Sequence, residues 1–448
     1  MKKYLKPSVL YFGLVFIGYV LTLFIPSFRT GVFASALLVA LAVEAGINVM
    51  KSDRKSDFIS LINVFVILYM VYNLLSIIWV VANGYPVSIH IEEFSNSILP
   101  IVFYILAVSL QESGEEKSEI VINTIYKAFI FSFAVFSMIC IIFYIWAPQF
   151  YCDFLVRIGM ISKADAATCH VRMEGFTGST SISYLGVAAM LVSARFIYSY
   201  FVTSGIEAKR TNKREKTAEQ KKSTNLFWIY TALFVLSLIV VFLANGRAGM
   251  VAAILVILYI NFLIFYSFKF IDKKYLYMEI GAIAVLLVAM CVATPGIANK
   301  IWARLVSLPG AIGQRSEQWV AAINNMPAAW HGQWFGNGLG ANGHKAIGIE
   351  GAHIVADGGL VKLYCEEGAI GFALLTFILI VIFRAGIKNL KKYFCELGII
   401  GTVLLMSIGS NIIAFQLCVP IFWFAAGVIA KDIKGNATEE SDIEGEKQ

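Results

Sequence analysis

Along the chain, apolar stretches of about eighteen residues or more alternate with short polar ones. At 1.5 Å rise per residue, each apolar stretch is long enough to cross ~30 Å of hydrocarbon as a helix. The pattern predicts twelve spans, of which the fourth and eleventh are shorter than that length: 8–25, 31–50, 58–82, 97–110, 122–147, 181–203, 226–243, 248–268, 276–295, 366–385, 396–409 and 412–430. Alternating segments of about ten residues, the mark of a membrane β-barrel, are missing, as are internal repeats and heptads. The first span follows Met1-Lys2-Lys3 in the manner of a signal peptide. Ile25-Pro26-Ser27-Phe28 stands where a small-residue cleavage site would be, which predicts a retained helix. The expected fold class is therefore all-α and polytopic. Residues 1–295 form nine helices with short loops, 296–365 a large loop with short helices, 366–430 three closing helices, and 431–448 a polar, disordered tail.

Composition agrees: 59% of the 448 residues are hydrophobic and 15% charged, a balance that excludes a water-soluble domain of this length. The net charge of +7 does not point to nucleic acid, because the basic residues sit between spans on alternate loops. Lys2, Lys3 and Lys6 open the chain; Lys51, Arg54 and Lys55, the cluster Lys209 to Lys222, Lys269 to Lys274, and Arg384 to Lys392 follow. The positive-inside bias makes these loops and both termini cytoplasmic. The acidic loop 111–121 does not contribute to that assignment. Segments 26–30, 83–96, 148–180, 244–247, 296–365 and 410–411 then face outward. Of the seven cysteines, Cys152 and Cys169 share one outer loop and are candidates for a disulfide; the others lie in or beside spans as inert core residues.

The candidate chemistry collects on that outer face. Arg247, in Asn245-Gly246-Arg247-Ala248-Gly249, opens a helix whose free N–H groups favour an anion, although an arginine can also snorkel to headgroups. Arg172 and Glu174 precede Ser179, Thr180 and Ser181, which are candidate caps; the two charges read either as a surface ion pair or as part of a site. Arg304 and Arg315 lie in the large loop, and Arg315 and Trp319 share a helical face at i and i+4. Trp302, Trp319, Trp330 and Trp334 form either an interfacial belt or faces for sugar rings. Gly336-Asn337-Gly338-Leu339-Gly340 lacks the Lys-Ser/Thr of a P-loop and reads as a flexible turn. His353 and Asp357 share a face if helical and could accept a hydroxyl proton. With His344 they could instead ligate zinc, although the spacing matches no metal pattern, and a plain polar helix cap is a third reading.

In order, spacing and sidedness these elements resemble the bacterial O-antigen polymerase and ligase family, best over 240–375. The elements that carry the likeness are the turn ending in Arg247, then Arg304, Arg315-x-x-x-Trp319, the glycine run at 336–340, and the polar segment ending in Gly368-Ala369-Ile370-Gly371 at a helix start. The resemblance implies a GT-C-like, multi-pass inner-membrane glycosyltransferase with a large periplasmic loop before its last helices. It implies an undecaprenyl-pyrophosphate-linked oligosaccharide as donor, membrane lipid around it, no metal or other cofactor, and a chain-length regulator and a flippase as partners. Arg247, Arg304, Arg315 and Arg172 would hold pyrophosphate. Trp319, Trp334 and Glu174 would contact sugars, and Asp357, His353 and Arg315 would be catalytic. Ligases of the family carry a His eleven residues before the Gly-x-x-Gly. Here that position is Asp357, followed by Gly358, with His353 one turn earlier, and this register favours a polymerase. Transfer of the glycan to lipid A–core by a ligase is the near alternative. A flippase or other transporter is the distant one, to which Glu44, Arg195 and Glu279 within spans would belong.

The topology is testable. Alkaline phosphatase fused after Phe335 should be active and a fluorescent protein fused at the C-terminus should fold and fluoresce; the reverse pattern would invert the orientation.

Overall fold

The computed structural model describes residues 6–50, 60–110, 115–159, 172–210, 218–263, 306–327, 330–343 and 357–433, with residues 161, 166, 169, 281, 296, 299, 302–303 and 346 between them. Every regular element among these residues is helical. Among the described residues, seven helices are long and apolar enough to cross a membrane: Thr30–Met50, Leu61–Ala82, Val87–Ser109, Lys117–Trp146, Ser179–Tyr200, Asn225–Ala244 and Gly359–Lys388. Three shorter apolar helices, Pro7–Leu21, Arg247–Asn261 and Val419–Ala430, accompany them. The chain is thus an all-helical, multi-span membrane protein. The span expected at 276–295 lies outside the described residues.

The chain divides into two compact units. One comprises Met1–Gly18, Phe28–Ala128 and Gly310–Gln448, the other Tyr19–Ser27 and Phe129–Pro309. We number the helices α1 (Pro7–Leu21), α2 (Thr30–Met50), α3 (Leu61–Leu75), α4 (Ile77–Ala82), α5 (Val87–Glu93), α6 (Val102–Ser109), α7 (Glu115–Trp146), α8 (Pro148–Arg157), α9 (Ser179–Arg210), α10 (Ala218–Ala244), α11 (Arg247–Asn261), α12 (Leu308–Asn324), α13 (Trp330–Phe335), α14 (Gly359–Lys388), α15 (Leu390–Ser407) and α16 (Val419–Ala430).

In the first unit α6 packs on α16. Gly427 comes so close to Tyr104 that a Cβ there would overlap its backbone, the small-residue device by which membrane helices approach. Trp423 is fully packed, with the Tyr104 ring at 6.2 Å and the Tyr69 ring at 6.4 Å. The Tyr104 hydroxyl donates to Asn63 Oδ1 at 2.7 Å. Glu44, within a span, accepts from the backbone N–H and hydroxyl of Ser8 and so has a structural use. Lys431 donates to Ser118 Oγ at 3.0 Å, and burial pushes its ammonium pKa down.

In the second unit α9 lies along α10, where Gly186 meets Ser237 and Val241, and along α11, where Gly249 meets Ser183. The Phe176 ring anchors the loop before α9 against Phe136, Phe143 and Phe154 at 5.5–6.2 Å. Cys152 on α8 is bonded to Cys169.

Among the boundaries that depart from the sequence pattern, two involve buried polar residues. Segment 83–96, expected as a loop, breaks only at Asn83–Pro86. A helix then starts at Val87 and, through a π-turn (Phe94–Ile98) and a 3₁₀ turn (Leu99–Ile101), runs on to Ser109. Likewise the last helical group starts at Gly359 rather than 366. Gly368-Ala369-Ile370-Gly371 therefore does not open a helix but lies at a kink inside one, with Gly368 at φ 64°. Both errors have one cause: polar residues that lower hydropathy are buried against each other. The run 336–340 is also not a flexible turn. It is buried, with the backbones of Gly336 and Gly368 in contact, so that a Cβ on either would overlap the other strand of chain.

Gly368→Ala should therefore cost at least about 2 kcal/mol, from its left-handed backbone conformation and the overlap. Gly401→Ala, on α15 with open space around it, should stay within about 1 kcal/mol of wild type. Thermal unfolding in detergent compares the two; equal midpoints would remove the kink as a constraint.

Candidate functional site

The site is built around the two ends of the first leg of α14. Within that leg, Lys362, Glu366 and Glu367 are fully buried. Lys362 Nζ donates to Glu93 Oε1 on α5 at 2.5 Å and to Glu366 Oε2 at 2.9 Å. Glu366 Oε1 accepts the Asn342 N–H at 2.9 Å, and Asn342 Oδ1 accepts from Asn337 Nδ2 at 2.9 Å. Because the Gly368 kink interrupts the helical ladder, the carbonyls of Cys365 and Glu366 turn to the loop. They accept the N–H groups of Asn337 (2.8 Å) and Gly338 (3.0 Å). Glu367 accepts from the Tyr69 hydroxyl at 2.8 Å, and the Tyr72 hydroxyl donates to the Glu367 carbonyl. Among the described residues, Glu367 Oε2 and both ring nitrogens of buried His90 have no hydrogen-bond partner. The result is a buried ionic and hydrogen-bonded network joining α3, α5, α14 and the glycine turn.

At the N-terminal end of the same leg the chain is accessible. Arg315 on α12 pairs with Asp357 through Nε at 3.2 Å, with side chains 30% and 41% exposed. Trp319, one turn on, donates its indole N–H to the Asp357 carbonyl at 3.2 Å. The Gly358 N–H donates to Asn411 Oδ1 at 3.2 Å, and the Gly359 N–H to the Ser410 carbonyl at 3.0 Å. Gly358 and Gly409 leave the room that the Trp319 ring and the Arg315 guanidinium occupy. A pair this exposed contributes about 0–1 kcal/mol, and the indole and the Asn411 amide already hold the segment. Stability therefore does not account for the pair. Chemically it offers a guanidinium for an oxyanion and a carboxylate that can take a proton.

The structure thus brings together Arg315, Trp319 and Asp357. Trp334, on α13 of the same unit, is 55% exposed, with its carbonyl against Gly368. Arg172, Glu174 and Arg247 belong to the other unit. Glu174 pairs with Arg172 and accepts the Ser179 N–H at 2.7 Å, so the cap of α9 is Glu174 rather than the three hydroxyl residues. Arg247 donates to Ser307 Oγ at 2.8 Å. Arg304, His353 and His344 lie outside the described residues, and with them the zinc alternative.

The sequence matches no protein-family model and no curated protein. What sequence reasoning missed is the buried set: Glu93, Lys362, Glu366, Glu367 and Asn411. A signal existed in Lys362 and Glu366, an i,i+4 pair of opposite charges in an apolar surrounding. Inside a membrane such residues pair with each other or mark function.

Lys362→Met should destabilise the protein by about 3–5 kcal/mol, since it leaves two buried carboxylates without a counter-charge. Replacing all three partners (Glu93→Gln, Lys362→Met, Glu366→Gln) should recover most of that. Unfolding in mixed micelles measures both, and a Lys362→Met protein as stable as wild type would show the network to be dispensable.

Proposed function

We propose that this protein is a metal-independent glycosyltransferase of the bacterial inner membrane, an O-antigen polymerase in a twelve-span, GT-C-like frame. It would extend a surface polysaccharide on the periplasmic face, with both termini in the cytoplasm. The observation that supports this reading best is the accessible Arg315–Asp357 pair, set by Trp319 and Asn411 at the head of a membrane helix. The donor would be a glycan on undecaprenyl pyrophosphate. A hydroxyl of the acceptor repeat unit attacks the donor's anomeric carbon while the bond from that carbon to the pyrophosphate oxygen breaks. The carrier leaves as undecaprenyl pyrophosphate, and the hydroxyl proton passes to Asp357. An arriving pyrophosphate competes for the Arg315 guanidinium, which frees the Asp357 carboxylate as the leaving group's charge becomes bound. Arg247, Arg304 and Arg172 are the further candidates for pyrophosphate, Trp319, Trp334 and Glu174 for sugars, and His353 for the base. Aspartate at the register where ligases carry histidine favours the polymerase over the ligase.

The buried Glu93–Lys362–Glu366 network supports a second reading, a transporter of lipid-linked glycan, because ionisable groups inside spans also mark pathways.

In a null strain, wild type should restore the lipopolysaccharide ladder. Arg315→Ala and Asp357→Ala, at equal expression, should lower polymerisation about 10²- to 10³-fold. Core carrying one repeat unit in the null strain means polymerase. Bare core with polymer on the carrier means ligase, and lipid-linked units retained on the cytoplasmic side mean transport. A normal ladder from both variants would remove this site.

A further inference from the structure

The second leg of α14 carries an apolar stripe at helical spacing: Phe372, Leu375, Leu379 and Phe383 recur every three or four residues. With Leu404 of α15 this stripe lines a groove of about 720 Å³ that runs from Leu360 to Lys388. The groove walls are almost wholly apolar, but its far end is not. Arg384 and Lys388, at i and i+4, line that end and are both exposed. Neither forms an ion pair among the described residues. Lys392, nearby in sequence, is by contrast paired with Asp432.

An apolar channel closed at one end by two cations is complementary to a molecule with a hydrocarbon tail and an anionic head. Exposed hydrophobic surface on a membrane protein attracts any lipid, so the walls alone select nothing. The cationic pair does select: it sits on one helical face one turn apart, so that one phosphate can reach both. Basic pockets between membrane helices hold anionic headgroups by this means. We propose that the α14–α15 groove is a binding site for one anionic phospholipid, with its phosphate on Arg384 and Lys388 and an acyl chain along Phe372, Leu375 and Leu379. The site does not depend on the glycan reading. Its cationic end, at Arg384 and Lys388, lies at the opposite end of α14 from Asp357, and its occupancy is measured without any transfer reaction.

The test uses the full-length protein in phosphatidylcholine bilayers doped with phosphatidylglycerol, followed by extraction and native mass spectrometry of retained lipid. Wild type should retain one phosphatidylglycerol in preference to phosphatidylcholine. Arg384→Gln with Lys388→Gln should weaken that retention about thirtyfold, the product of about a fivefold loss for each basic residue at the membrane surface. Thr376→Trp should plug the groove and lose the lipid with both charges in place; Ile380→Trp, at another lining position, serves if the first variant fails to fold. Any one of four results would overturn the proposal: equal retention of the two phospholipids by wild type, undiminished retention in the charge-removed variant or in a plugged variant that folds, displacement by inorganic phosphate alone, or a polyprenyl carrier found in the groove instead.

Discussion

The structure of the first unit depends on one ammonium. Lys362 lies fully buried between Glu93 and Glu366, and no other arrangement of these three groups is cheap. A lone charge in a low-dielectric interior costs several kcal/mol even after relaxation, while a hydrogen-bonded set of opposite charges offsets much of that. The side chains therefore have to meet, and in meeting they fix α5 against α14. Glu366 uses its second oxygen on the Asn342 N–H, so the same constraint extends to the glycine turn. The kink at Gly368 then has a reason: it releases two carbonyls to the Asn337 and Gly338 N–H groups.

What this network holds still is the short leg that begins beside Asp357. Lys362 stands five positions after Asp357, little more than one helical turn. Fixing the lysine thus sets where the aspartate stands relative to α12 and Asn411. The two polar layers differ in kind. The inner one is buried and costly to break, and the outer one is accessible and contributes little to stability. A weak pair presented by a rigid frame is what a binding or catalytic site requires, since its members can exchange partners without loosening the fold.

The sequence pattern made the helical membrane architecture legible because lipid demands long apolar segments, and hydropathy reads them directly. It failed at the starts of α5 and α14 for the complementary reason. Glu93, Lys362 and Glu366 look like loop residues one at a time, and the burial of Glu93 with Lys362 follows from a partnership 269 positions apart that no local window contains. The pairing of Arg315 with Trp319 on one face was legible from spacing alone. The resemblance implied roles for Asp357 and Arg315 but not that the two pair, and Asn411 carried no signal, because its role is to accept a single backbone N–H from a segment remote in sequence. Glu174 was legible as a polar residue near a helix start but not as its cap, which required the reversal of chain at Gly175 and Gly178.

The distance between Glu93 and Lys362 along the chain also has a temporal side. At about 5–20 residues per second, the ribosome makes Glu93 roughly 13 to 54 s before its counter-ion exists. For that interval the helix 87–109 exists without the residue that is to bridge its Glu93 to Glu366. The contact between α5 and α14 therefore cannot close until α14 has itself been made and docks, so the first unit is completed late and from its C-terminal side.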